Sequence, residues 1–164
     1  MMDDISPLPY VEVGKLIGLL VYLDDSDGKV DIYMIPEDIE IEADELISLL
    51  KLAQMMNFVE VKEGDVFLTD LGRELVEGDE NKRKIIFKDS LKKLPIFKKV
   101  INILIKSKDN SIDKEDLLEI LQEEMSESDA EETLKSIIEL GRYAELIGYN
   151  PEDKEVYLDK LEEI

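Results

Sequence analysis

The chain has 164 residues, of which 44% are hydrophobic, enough to pack the core of one domain or of two small ones. Its 41 acidic residues outnumber its 20 basic ones, and the resulting net charge of −21 repels polyanions such as nucleic acids from the molecule as a whole. The absence of Cys excludes disulfides and thiolate sites, and the absence of His removes the commonest general base and metal ligand.

The first half of the chain predicts a helix, a short strand, two helices and a hairpin, in that order. Apolar spacing indicates the helices, an Asp- and Gly-rich turn precedes the short strand, and Glu63-Gly64-Asp65 forms the hairpin turn. This order is typical of a winged helix. The predicted ranges are 11–23 (helix), 29–31 (strand), 33–39 (short helix interrupted near Pro36), 42–57 (amphipathic helix), and 58–61 and 66–68 (hairpin strands).

A helical connector is predicted at 70–95. Thr69 can cap a helix that ends near Gly78, and a second helix over 81–94 is stopped by Pro95.

The second half repeats the pattern of the first. The offset between matching positions drifts from 82 (Asp31 to Asp113) to 90 (Phe67 to Tyr157), which fits a divergent duplication with small insertions. Two similar winged helices that did not arise by duplication are the alternative. The predicted elements are a helix at 97–105, a helix capped by Asp113 and reaching Glu124, a helix opened by a capping box of Ser128 and Glu131 and reaching Leu140, and strands at 146–149 and 155–158.

The predicted fold is therefore mainly α with small β-hairpins (α+β). It comprises an N-terminal winged-helix-like lobe at 1–69, which starts with a short tail over 1–9, a helical connector at 70–95 and a C-terminal winged-helix-like lobe at 96–164.

The basic part of this acidic chain begins in the connector and continues into the helix that follows it. Residues 82–108 hold ten Lys or Arg and one acid, a net charge of +9, which leaves a net charge of −30 for the rest of the chain. Neutralisation by the acidic lobes is the simpler interpretation, and a docking face for an acidic partner is compatible with it. The candidate docking face consists of Lys84, Lys88, Lys92, Lys93, Lys98 and Lys99.

Winged helices often read DNA through the helix before the wing, so the charge of that helix matters. The helix over 42–57 has a net charge of −2, and residues 127–140 have −4. Both would set carboxylates against phosphates, which disfavours DNA as a partner by this route. A nucleic-acid-binding or transcriptional regulator that uses the basic connector is the alternative function.

The chain's three arginines, Arg73, Arg83 and Arg142, lie where the lobes and the connector should meet. Because Arg can hold a carboxylate through two parallel hydrogen bonds, we predict structural clamps between helices; a ligand site is the alternative.

No catalytic, cofactor or metal site is predicted. The turn at 24–28 fails as a calcium loop, because Leu23 and Met34 occupy ligand positions, and we interpret it as a solvated turn. No phosphate-binding GxxxxGK[ST] motif occurs, and no nucleophile is paired with a base. We therefore expect a protein that is not an enzyme.

The chain should be cytoplasmic. Its longest apolar run, 16–23, is shorter than the roughly 18 residues of a membrane span, and the acidic start MMDDIS lacks the layout of a signal peptide.

Two segments, LTDLGRELVEGDENKRKIIF and GRYAELIGYN, resemble the AAA-associated C-terminal domain of ABC-type nitrate, sulfonate and taurine importer ATP-binding proteins. The resemblance extends from LPYVEVGKLIGLLVYL to Tyr157-Leu158, with Leu140 in place of the family's usual aromatic residue. It implies a non-catalytic regulatory or assembly role near an importer ATPase. Since no ATPase domain precedes residue 1, we expect a stand-alone copy that acts on such an ATPase in trans. A homodimer and a small-molecule effector site between the lobes are further possibilities that the sequence leaves open.

Overall fold

The computed structural model describes residues 5–159, so the first four residues of the acidic start, for which no signal peptide was predicted, lie outside the described part. The chain forms two compact units. The N-unit is Val11–Ile86, and the C-unit combines the segment ending at Tyr10 with the chain from Phe87 onward. The boundary falls inside helix α5, Glu80–Lys92.

The N-unit builds a three-stranded antiparallel sheet against helices. Its elements are α1 (Val13–Asp25), β1 (Lys29–Asp31), a 3-10 turn (Ile32–Met34), α2 (Ile35–Asp38), α3 (Ala43–Met55), β2 (Val59–Lys62), β3 (Asp65–Leu68), α4 (Asp70–Glu77) and the first part of α5. The strand order is β1-β3-β2. Apolar residues at helical spacing on α1 and α3 make the core, with Leu16, Leu20, Leu52 and Ala53 fully buried.

The C-unit repeats this plan. Its elements are the remainder of α5, α6 (Pro95–Lys106), a 3-10 turn (Lys108–Asn110), β4 (Ser111–Asp113), α7 (Lys114–Gln122), α8 (Glu127–Tyr143), β5 (Ile147–Asn150) and β6 (Glu155–Leu158). The strand order is β4-β6-β5. Phe87, Phe97, Leu117 and Ile137 are fully buried in its core. The mainly α fold with small antiparallel sheets is confirmed.

The strand registers of the two sheets repeat at the predicted offsets. Asp31 pairs with Asp65 and Asp113 with Glu155, so β1 and β4 differ by 82 positions and β3 and β6 by 90. The intervening strands β2 and β5 differ by 88. These registers define which positions of the two units are equivalent.

Two predicted caps are present. The Thr69 side chain accepts the N–H of Gly72 at 3.0 Å, and the Asp113 carboxylate accepts that of Glu115 at 2.8 Å. Each satisfies an N–H that has no partner within its own helix.

The predicted cap of α8 is wrong. Ser126, rather than Ser128, precedes the helix, and its hydroxyl accepts the N–H of Asp129 at 3.1 Å. Ser128 lies inside the first turn of α8, where its backbone is already helical. The prediction looked for a Glu three residues after the capping residue, whereas the residue at that distance from Ser126 is Asp129.

The interruption predicted at Pro36 is also corrected. Pro36 is the second residue of α2, a first-turn position where a missing N–H removes no hydrogen bond from the helix. The irregular segment is the 3-10 turn that comes before it.

The N-terminal segment is not a loose tail over its described residues. Leu8 is 1% exposed, and its N–H donates to Thr133 Oγ1 at 2.9 Å. The Ser136 hydroxyl donates to the Pro9 carbonyl at 2.5 Å. The segment is therefore part of the C-unit, held to α8 by two buried hydrogen bonds.

Candidate functional site

In each unit a groove lies beside the helix that precedes the hairpin. The N-groove has a volume of about 420 Å³, and its lining residues are Ile32, Ile47, Leu50, Lys51, Gln54, Met55 and Val61. The C-groove has a volume of about 520 Å³, and its lining residues are Tyr10, Lys114, Glu115, Leu118, Glu131, Leu134, Lys135, Ile138, Glu139, Arg142 and Tyr149.

The two grooves occupy equivalent positions. An offset of 82, taken from β1 and β4, matches Ile32 with Lys114. An offset of 88, taken from β2 and β5, matches Val61 with Tyr149. The same offset relates α3 to α8, because the link from each helix to the following strand contains one residue with positive φ, and these two residues, Asn57 and Glu145, are also 88 positions apart. By the same offset Ile47 matches Lys135, Leu50 matches Ile138, Lys51 matches Glu139 and Gln54 matches Arg142.

The N-groove is mainly apolar and open to solvent. Ile47 on α3 is 63% exposed, although a large aliphatic side chain at this spacing would ordinarily be buried. Tyr33 and Met34, which follow Ile32 in the 3-10 turn, are 87% and 53% exposed. Three of the six large apolar side chains exposed among residues 5–159 therefore belong to this groove or to the turn beside it.

The C-groove has a different lining, with cations, carboxylates and rings around an aliphatic floor. Lys135 places its Nζ 4.0 Å from the centroid of the Tyr10 ring, and Lys114 places its Nζ 5.4 Å from that of Tyr149. Arg142 is exposed and forms no ion pair within residues 5–159. The groove is thus amphipathic and carries both signs of charge.

Two of the three arginines link helices of the N-unit. Arg73 on α4 places its Nε 3.5 Å from Asp24 at the end of α1. Arg83 on α5 donates to the carbonyl of Leu75 at 3.1 Å and to that of Val76 at 2.8 Å, two groups at the end of α4 that lack helical partners. Arg142 instead lines the C-groove.

The six lysines of the candidate docking face do not share one environment. Lys84 and Lys88 each have an interaction partner and are half-buried. Lys99 pairs with Glu124 at 3.0 Å, whereas Lys93 and Lys98 are exposed. Lys92 is half-buried at the end of α5, where a cation is favourable to the helix dipole.

Two ionisable groups outside the grooves have displaced pKa values. Burial and then a hydrogen bond of 2.5 Å to Asp38 raise the pKa of Tyr22 to about 12. A hydrogen bond of 2.6 Å to Glu45 raises the pKa of Lys15. These bonds connect α1 to α2 and to α3, respectively, so both groups stabilise the N-unit.

Among the described residues, no three carboxylates gather as they would around a metal ion. Over the same part of the chain, no helix has the length and apolar character to cross a membrane.

Sequence reasoning did not find the grooves. The available signal was the pair of offsets, which brings Ile47 beside Lys135 and Gln54 beside Arg142 once the repeats are aligned at their hairpins. Arg142 was singled out as a clamp between helices, with a ligand site as the alternative. The rings that complete the C-groove, Tyr10 and Tyr149, come from distant parts of the chain.

No curated protein and no solved structure matches the chain. The model of the C-terminal AAA-associated domain matches residues 33–150, which is more than half of the chain and includes most of both units. The chain therefore belongs to the family of C-terminal AAA-associated domains.

Proposed function

We propose that this chain is a non-catalytic accessory module of the cytoplasm that regulates or assembles an ABC importer ATPase by binding it as a protein partner. The observation that carries the proposal is the N-groove, where Ile47 is held in the open on a regular helix between apolar neighbours. Exposed apolar side chains clustered around a groove are typical of a protein-binding surface.

The charge of α3 indicates what kind of segment fits this groove. The first turn of α3 carries Asp44 and Glu45, and Lys51 is the only cation among the groove's lining residues. A partner helix with an apolar stripe and basic flanks would bury Ile47 and meet the exposed carboxylate of Asp44, since that of Glu45 is paired with Lys15 at 2.6 Å. The same acidity disfavours a nucleic acid on this face.

The basic connector gives less support to the rival function, a nucleic-acid regulator. A duplex would need a continuous row of free cations, but Lys99 is paired with Glu124, and Lys84 and Lys88 have partners of their own. The partners of Lys82 and Lys99 are the carboxylates of Glu74 and Glu124, which favours the interpretation in which acidic groups of the protein neutralise part of the basic stretch over 82–108.

The test is recovery of the partner with a tagged chain from cells of its source, with Ile47→Glu as the groove variant. Ile105→Glu is the matched control, because Ile105 is 48% exposed on α6 and does not line either groove. Circular dichroism checks that both variants fold. We expect an ABC importer ATPase with the parent chain and with Ile105→Glu, and at least about tenfold less with Ile47→Glu, since a charge in a binding centre costs roughly 2 kcal/mol or more.

Equal recovery of the ATPase with both variants would refute the N-groove as the docking surface. Recovery of nucleic acid alone, or of no importer ATPase by the parent chain, would refute the proposed function.

A further inference from the structure

We propose that the C-groove binds a small zwitterion with an apolar body, such as a dipeptide with apolar side chains, with Arg142 holding the carboxylate and Glu139 the ammonium group. The proposal does not rest on the docking function of the N-groove, because the two grooves belong to different units.

The first observation is the size and lining of the C-groove. Its volume of about 520 Å³ lies within the range of roughly 300–1,000 Å³ that small-molecule sites occupy. Leu118, Leu134 and Ile138 supply an aliphatic surface, and the rings of Tyr10 and Tyr149 lie among the lining residues. Such a surface suits the apolar side chains of a ligand, and charged groups among the lining residues can then fix its orientation.

The second observation is the row of charges that α8 presents to the groove. Glu131, Lys135, Glu139 and Arg142 alternate in sign at helical spacing, with about 6 Å along the helix axis for each step of four residues. On a solvated helix such a row ordinarily forms ion pairs between its own members. Here none of these four side chains is joined to another charged group by an ion pair within residues 5–159.

One of the two cations has a different contact. Lys135 places its ammonium over the Tyr10 ring at 4.0 Å, and it forms no ion pair with Glu131 or Glu139. Glu139 is half-buried and accepts no hydrogen bond from another described residue, and Arg142 is exposed. Glu139 and Arg142 are thus neighbouring charges of opposite sign that form no ion pair, and they match a ligand that carries both an ammonium group and a carboxylate. In a dipeptide these two groups are at most about 7 Å apart.

The third observation is the comparison with the N-groove. Positions equivalent to Lys114, Lys135 and Arg142 hold Ile32, Ile47 and Gln54, so all three cations are particular to the C-groove. A zwitterion also fits the electrostatics of the whole chain better than an anion, because a ligand of zero net charge is not repelled by a net charge of −21.

The experiment compares three ligands with the same body. Amide resonances of the full chain are followed by NMR during titration, up to about 10 mM, with leucyl-phenylalanine, with its N-acetyl form, which lacks the cation, and with its C-terminal amide, which lacks the anion. We expect saturable shifts at the C-groove with the free dipeptide, and binding at least about tenfold weaker with each capped form, because each loses one charge-assisted hydrogen bond.

Two variants assign the charges. Arg142→Gln, which installs the residue found at the equivalent position of the N-groove, should abolish the preference over the amide form; Glu139→Gln should abolish the preference over the N-acetyl form. Lys98→Gln and Glu119→Gln are the matched controls, since both residues are exposed and neither lines the C-groove. These controls should leave all three affinities unchanged.

The proposal is overturned if the capped dipeptides bind as tightly as the free one, or if no resonance of the C-groove shifts with any of the three. Shifts that survive both Arg142→Gln and Glu139→Gln would also refute it, since they would show binding through the aliphatic surface alone.

Discussion

Ser136 holds the N-terminal segment to the C-unit, so Ser136→Ala should destabilise the protein. Its hydroxyl donates to the Pro9 carbonyl at 2.5 Å, and the residue is fully buried. One turn earlier, Thr133 accepts the N–H of Leu8 at 2.9 Å. These bonds join positions 127 and 125 residues apart, and no secondary structure covers residues 5–12 that could replace them.

Two effects of opposite sign determine the size of the change. Ala favours a helix interior, such as position 136 of α8, over Ser by about 0.5 kcal/mol. Loss of the hydroxyl leaves the buried Pro9 carbonyl without its partner, which costs about 1–3 kcal/mol. Ser128→Ala is the control for a Ser-to-Ala change that breaks no buried hydrogen bond, because Ser128 is an exposed residue in the first turn of the same helix, where the propensity difference is at most about 0.5 kcal/mol.

Urea unfolding of the two variants measures the difference between them. With an m-value of roughly 2 kcal/mol per molar, a loss of about 2 kcal/mol lowers the midpoint of Ser136→Ala by about 1 M relative to Ser128→Ala. Equal midpoints would mean that the Pro9 carbonyl finds another partner at no cost, and the structural role given to Ser136 would be refuted.

Three further changes test single contacts. The pKa of Tyr22 is about 12 in the folded protein and about 10 in the unfolded chain, so the neutral hydroxyl stabilises the fold below pH 10, and this stability is lost as the pH rises towards 12. The Tm of Tyr22→Phe should therefore fall less steeply than that of the parent chain between pH 10 and 12. Parallel Tm curves of the two proteins would contradict this. Gly148→Ala should lower the unfolding free energy by about 1–3 kcal/mol, because a Cβ there meets the Tyr157 ring, and Tyr157→Ala in the same chain should recover part of the loss in urea unfolding. Ser126→Ala should cost about 1 kcal/mol in the same assay through loss of the α8 cap, and a neutral result would argue against the cap assigned here.

Elements that local chemistry determines were predictable from the sequence. The Thr69 and Asp113 caps depend on one side chain and an N–H two or three residues later, so a sequence reader sees both partners. The α8 cap was missed for an equally local reason, since Asp129 stands three residues after Ser126 where a Glu was sought. Element boundaries shifted by one to three residues, the most at the end of α8, which was predicted at Leu140 and lies at Tyr143, as expected where helix ends are set by competing hydrogen bonds.

The grooves depend on contacts that sequence spacing does not contain. On α8 the row from Glu131 to Arg142 is what a solvated, internally paired helix face would show. Only the Tyr10 ring beneath Lys135 changes that interpretation, and Tyr10 reaches α8 because the segment before it is anchored there. The N-terminal segment, predicted as a tail, and the C-groove, which was not predicted, therefore depend on the same long-range contact.

The two units differ in length at particular places along the chain. These places explain why the strand registers of the two sheets match while the residues that line the two grooves differ. The offset grows by six residues between β4 and β5, a stretch that contains the nine-residue α7 in place of the four-residue α2. It grows by two more within the hairpin, outside the paired positions. Both differences in length lie outside the strands and leave every strand register intact. A shift of one residue within a strand would turn its buried face outward.

The segment between β4 and α8 is free of that restriction. It supplies Lys114, Glu115 and Leu118 to the C-groove, whereas its counterpart between β1 and α3 supplies only Ile32 to the lining of the N-groove. The two units therefore share their sheet architecture and differ in the lining of their grooves, which is where units with one architecture can bind different ligands.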